Sequence, residues 1–89
     1  MINYTEGDRV RLRQNVELFN AFWAEKGSLG TVSYVDENNR YVGITLDLPV
    51  DGLEPWDNEL VFNRDGSDTL ECAGYKLTEA VEPIEGGAA

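Results

Sequence analysis

The chain predicts an all-β fold: a small barrel of about five short strands with one short helical turn. Three observations carry this. Segments 9–13, 30–36 and 40–47 alternate apolar and polar residues, the period of half-buried strands. Glycines or Asx-rich turns separate these segments about every ten residues. The chain is also small, 89 residues with 42% apolar content, so one modest core is what it can build. Closure of the sheet would remove exposed edges that so short a chain hides poorly.

The first strand is expected over Arg9 to Arg13, with Val10 and Leu12 inward and Arg9, Arg11 and Arg13 outward. The stretch Val16 to Trp23 reads two ways. Its apolar spacing fits a short amphipathic helix capped by Asn15 and ended by Gly27, or a loop whose aromatics cap the barrel. A short strand near Val16–Leu18 followed by a loop or one helical turn is the reading adopted. Gly30 to Asp36 is the second long strand, with Val32 and Tyr34 on one face. Asp36-Glu37-Asn38-Asn39 supplies a turn, because Asp and Asn tolerate positive φ. Arg40 to Asp47 returns, with Val42, Ile44 and Leu46 on one face. Two prolines and an Asp-Gly make residues 48–55 a loop. A strand through Leu60 and Phe62 follows, then a turn at 63–68, a return near Thr69–Cys72, and a helical turn with a closing strand between Tyr75 and Ile84. The domain is expected to span residues 1–85, with a frayed tail at 86–89.

The order Gly7-x-x-Val10-x-Leu12, long loop, Gly27-x-x-Gly30-x-Val32-x-x-Val35, turn, Tyr41-Val42-x-Ile44-x-Leu46-Asp47 resembles SH3-like barrels of the KOW and plasmid type II dihydrofolate reductase kind. It is similar as well to small uncharacterised barrels of phages and mobile elements. The resemblance covers residues 7–62 and implies an architecture. The functional motifs of these families do not carry over. KOW domains are usually basic, whereas this chain is acidic. The reductase resemblance implies a tetramer with a Val-Gln-Ile-Tyr pore strand, where this chain reads Asn58-Glu59-Leu60-Val61-Phe62. The Ala-Leu-Tyr-Asp-Tyr segment of signalling SH3 domains is missing, so proline-peptide binding is not transferred.

The formal charge is −10, and its distribution is uneven. Residues 1–45 hold six acids and five bases, a net of −1; residues 46–89 hold eleven acids against Arg64 and Lys76, a net of −9. Such a field repels phosphate backbones, so nucleic acid is not the expected partner. The plainer use of the charge is solubility. Arg9, Arg11 and Arg13 suit phosphate only if they are free; internal pairing with the abundant carboxylates is the favoured reading. No apolar run is long enough to span a membrane, and the N-terminus lacks the pattern of a secretion signal. With one cysteine and no such signal, a cytoplasmic location is expected.

Histidine is absent, which removes Ser-His and Cys-His pairs and the usual zinc ligand sets. Cys72, between apolar neighbours and amid acids, is expected to be buried and inert. Asp47, Asp51, Glu54, Asp57 and Glu59 lie on or beside one loop. A paired-acid catalytic site there lacks the large cleft that glycoside chemistry needs, and a solvated acidic rim explains the residues as well. Asn63-Arg64-Asp65-Gly66-Ser67-Asp68 misses EF-hand spacing and reads as an Asp-Gly turn. No cofactor or metal is expected.

Nine aromatic residues exceed what so small a core can take. Phe19, Phe22 and Trp23 cluster in one uncertain segment, and Trp56 sits in the acidic loop. Either they plug the barrel ends or they form an exposed patch that binds a partner. The expected function is a non-enzymatic binding module. Phe22, Trp23 and Trp56 are its anchors, and Asp51, Glu54, Asp57 and Glu59 steer a protein with a basic surface. Self-association into a homo-oligomer is the other use of such a patch. Two alternatives are an acidic inhibitor that imitates nucleic acid, of the sort a phage or mobile element encodes, and an oligomeric enzyme of the reductase architecture.

Overall fold

The computed structural model describes residues 4–38, 40–64 and 69–84. Strands run over Arg9–Leu12 (β1), Val16–Leu18 (β2), Phe22–Ala24 (β3), Leu29–Val35 (β4), Tyr41–Leu46 (β5), Glu59–Asn63 (β6), Glu71–Cys72 (β7), Tyr75–Lys76 (β8) and Val81–Pro83 (β9). A 3₁₀ turn covers Glu54–Trp56, and a single helical turn, α1, covers Leu77–Ala80. Seven strands form one antiparallel sheet in the order β8-β7-β6-β5-β4-β1-β9. It curls into a half-barrel, so the fold is a small all-β barrel type compatible with an SH3-like fold. Strands β2 and β3 form a separate hairpin. No helix among the described residues is long and apolar enough to cross a membrane.

Alternation explains the core. Val10 and Leu12 of β1, Val42, Ile44 and Leu46 of β5, and Leu60 and Phe62 of β6 all point inward and are buried. The one-turn helix adds Leu77 and Ala80, whose spacing of three puts them on one face. Strand β9 then closes against β1, with Leu12 opposite Val81. The β4–β5 turn is an Asx turn: Asp36 Oδ2 accepts the Asn38 N–H at 3.1 Å. The turn expected at 63–68 falls largely outside the described residues, and the tail at 86–89 lies wholly outside them.

Two elements depart from the sequence reading. Val32 and Tyr34 were expected on one face, yet Val32 is buried and Tyr34 is exposed. The β4–β5 register shifts between Val32 and Tyr34. This irregularity breaks the period of two, as an inserted residue does. Tyr34 instead meets Tyr41 edge-on, with ring centroids 5.2 Å apart at 76°. The second departure is β3. Residues 22–24 are neither loop nor helix; they pair back on β2 with Val16 opposite Ala24, Glu17 opposite Trp23 and Leu18 opposite Phe22. Asn20 adopts φ 62° in the turn, and the Ala21 N–H donates to the Leu18 carbonyl at 2.9 Å. Asparagine is one of the few residues that tolerate this conformation. Burial of Val16 and Ala24 fixes the hairpin to the core.

Candidate functional site

The β2–β3 hairpin and the connection between β5 and β6 form the two walls of a groove of about 1100 Å³. The hairpin contributes Glu17 to Trp23, and the connection contributes Leu46 to Asp51. Glu25 and the segment Gly27 to Leu29 complete the lining. The base of the hairpin is tied by Asn15, whose Oδ1 accepts the Lys26 N–H at 2.7 Å.

The second wall is held by one side chain. Asn58 Oδ1 accepts the Val50 N–H at 2.8 Å, while Nδ2 donates to the carbonyls of Leu46 and Leu48 at 3.0 and 2.8 Å. Its amide therefore fixes three alternate residues of the wall, and only a group with both donor and acceptor on one planar head can do this. Asn58 itself sits at φ 62°, next to Asp57 at φ 55°. The walls meet where Gly52, at φ 95°, passes so close to the hairpin that an added Cβ would overlap the Ala21 carbonyl oxygen.

The lining is apolar in a distinctive way. Seven large hydrophobic side chains are exposed among the described residues, and five of them face this groove: Leu18, Phe19, Trp23, Leu29 and Leu48. Phe19 is 88% exposed and Leu48 76%. Such clustering differs from the scattered single residues of an ordinary surface. Glu17, Glu25, Asp47 and Asp51 supply the charge of the lining, and neither lysine nor arginine contributes to it.

Asp47 is already matched. Arg9 donates to its two oxygens at 2.8 and 2.6 Å, and also to Thr31 Oγ1 at 2.7 Å. The guanidinium hydrogen bond holds the Asp47 carboxyl below the usual carboxylate range. A carboxyl depressed in the folded state stabilises fully above its unfolded pKa and loses that contribution as pH falls through the folded value. The pair is exposed, so the effect on stability is small. The sharper readout is the titration itself: in Arg9→Gln, the Asp47 side-chain carbon followed by NMR is expected to titrate at higher pH than in wild type. An unchanged midpoint would show that the ion pair does not hold in solution.

Arg11 pairs with Glu82 at 2.9 Å, and Arg13 donates to the Thr78 carbonyl at 3.3 Å. Arg9 and Arg11 thus pair with the protein's own carboxylates, as favoured from the sequence, whereas Arg13 lies beyond β1 and meets a backbone carbonyl. Cys72 is partly rather than fully buried, and burial rather than nearby acids raises its thiol pKa.

Of the residues expected to bind a partner, Phe22, Trp23 and Asp51 come together in the groove lining. Glu54, Trp56, Asp57 and Glu59 do not line it. Glu54 Oε1 accepts the Gly52 N–H at 3.1 Å within the local turn. Trp56 is exposed in the 3₁₀ turn. Glu59 accepts a hydrogen bond from Ser33 Oγ at 2.5 Å across the sheet, and its carboxylate would meet any Cβ placed on Gly43. It also adds to the effect of burial in raising the Tyr41 hydroxyl pKa. Leu18, Leu29 and Leu48 were not anticipated as site residues; Leu48 and Val50 in an otherwise polar, proline-rich loop were the available signal. Among the described residues no group of three or more metal-ligating acids or cysteines gathers.

Comparison with known protein families, with curated proteins and with solved structures finds no match to this chain.

Proposed function

We propose that this chain is a non-enzymatic binding module of the SH3-like type, and that the groove between the β2–β3 hairpin and the β5–β6 connection receives a protein partner. The observation that carries the reading is the gathering of five of the seven exposed large hydrophobics on one concave surface. An apolar centre with a polar rim is the anatomy of a recognition site. The carboxylate rim, with no basic lining residue, suits a partner with a basic surface. A nucleic-acid mimic is the less supported reading, because Asp47, Glu59 and Glu82 are each held by an internal partner.

Leu48→Asp is the test, because Leu48 is exposed and its replacement costs stability within about 0.5 kcal/mol. Proteins retained by immobilised wild type are expected to be lost on Leu48→Asp and kept on Trp56→Ala. Equal retention by Leu48→Asp would refute the groove. Loss confined to Trp56→Ala would move the contact to the acidic loop around the 3₁₀ turn.

A further inference from the structure

We propose that the groove seats a lysine or arginine side chain of its protein partner on the indole of Trp23, between the carboxylates of Glu17 and Glu25. The inference rests on the groove reading above and adds the chemistry of the contact. The strand register puts Glu17 directly across from Trp23, and directly opposed side chains share a face of a β-ribbon. Glu25 is the first residue beyond β3 and lines the same groove as Glu17 and Trp23. All three residues are exposed, and all three line the groove.

The two carboxylates are unspent. Among the described residues the ion pairs are Arg9–Asp47 and Arg11–Glu82, and no side-chain hydrogen bond reaches Glu17 or Glu25. Lys26 adjoins Glu25 in the chain, yet it makes no ion pair and lies outside the groove lining. An indole face attracts a cation through its quadrupole, and flanking carboxylates add to that field. A docked partner displaces water from the apolar walls and so reduces screening of the contact. Phe19 and Leu48, which line the same groove, then cover the aliphatic stem or an adjacent apolar residue of the partner. A second copy of this chain is the poorer occupant: it carries −10 overall, and two of its seven cations are committed to internal ion pairs. Phosphate-bearing partners meet the same repulsion.

The experiment uses the full chain carrying Trp56→Phe, which leaves Trp23 as the only tryptophan and hence the fluorescent reporter. A displayed library of random peptides is the probe. Selection on this protein is expected to enrich peptides that combine lysine or arginine with an aliphatic or aromatic residue. A synthetic copy of an enriched peptide should perturb Trp23 emission. Its affinity should fall about tenfold when Glu17→Gln and Glu25→Gln are introduced together, and by less in high salt. Replacing the basic residue of the peptide by norleucine should cost a similar factor on the parent protein and little on the double variant. Enriched peptides that depend on Leu48 but show no excess of basic residues would overturn the cation seat and leave the groove intact. Equal affinity for the double variant would do the same. Failure to enrich any peptide sensitive to Leu48→Asp would remove both readings together.

Discussion

Phe62→Ala is expected to remove most of the folding free energy of this domain. Phe62 has no solvent exposure and is the largest fully buried side chain of the core, on β6 opposite Val42 of β5. Truncation of a buried phenylalanine costs about 3–5 kcal/mol through lost transfer energy and the cavity left behind. A small domain holds only about 5–15 kcal/mol in total, and a chain of this size belongs towards the lower end. At roughly 4–8 °C per kcal/mol, the melting temperature should drop by at least about 12 °C. Urea titration followed by far-ultraviolet circular dichroism measures the loss directly. Phe62→Leu keeps much of the volume and should lose about 1–2 kcal/mol. Trp56→Ala, on the surface, should stay within about 0.5 kcal/mol of wild type. A Phe62→Ala variant that melts like wild type would show that β6 does not face the core.

The contrast between Phe62 and Trp56 marks where sequence reasoning is strong. Alternation along a two-faced strand is a local property, so Val10, Leu12, Val42, Ile44, Leu46, Leu60 and Phe62 were assignable to the interior from spacing alone. The one-turn helix and closing strand between Tyr75 and Ile84 were legible for the same reason, since Leu77 and Val81 interrupt polar neighbours. Pairwise features were not. Tyr34 faces solvent because the β4–β5 ladder shifts, and no residue of β4 alone announces that. Tyr4 joins the core from a segment with no periodicity to reveal it. Strand β3 exists through its pairing to β2, so a stretch that also fits a helix on spacing became half of a hairpin.

The candidate site divides along the same line. Phe22 and Trp23 were recognisable as a cluster, and Asp51 as a nearby acid; tertiary structure brought them together. Trp56 and Glu59 are neighbours in sequence but serve different surfaces. Two consecutive left-handed residues, Asp57 and Asn58, turn the chain between them, and Glu59 enters β6 and reaches over Gly43 of β5 to Ser33 of β4. The residue that builds the second wall, Asn58, acts through carbonyls and an N–H at positions 46, 48 and 50. Its role depends on loop closure, which composition does not encode. Charge separates likewise into committed and uncommitted groups: Asp47 and Glu82 are neutralised by β1 arginines, while Glu17 and Glu25 make no ion pair among the described residues.

Gly52→Ala is expected to separate the two walls of the groove. Gly52 sits at φ 95°, where an L side chain is strained, and the added Cβ would overlap the Ala21 carbonyl oxygen and lie 2.8 Å from its carbon. Both are backbone atoms, so no side-chain rotation relieves the overlap; the loop or the hairpin must move. Gly74 separates the two costs. It has φ 87° with nothing within 4 Å of an added Cβ, so Gly74→Ala incurs backbone strain alone, about 1–3 kcal/mol. Gly52→Ala carries that strain and the collision together, and its midpoint in urea should fall below that of Gly74→Ala. Binding distinguishes them further. If the groove is the site, a basic peptide selected on wild type should bind Gly74→Ala with unchanged affinity under conditions where it is folded. Gly52→Ala, also measured in its folded fraction, should bind at least about tenfold more weakly, because Leu48 and Val50 no longer oppose Phe19 and Trp23 at the same spacing. Equal stability of the two variants would show that the loop does not rest on the hairpin. Equal affinity in the face of unequal stability would show that partner recognition does not need the two walls in register.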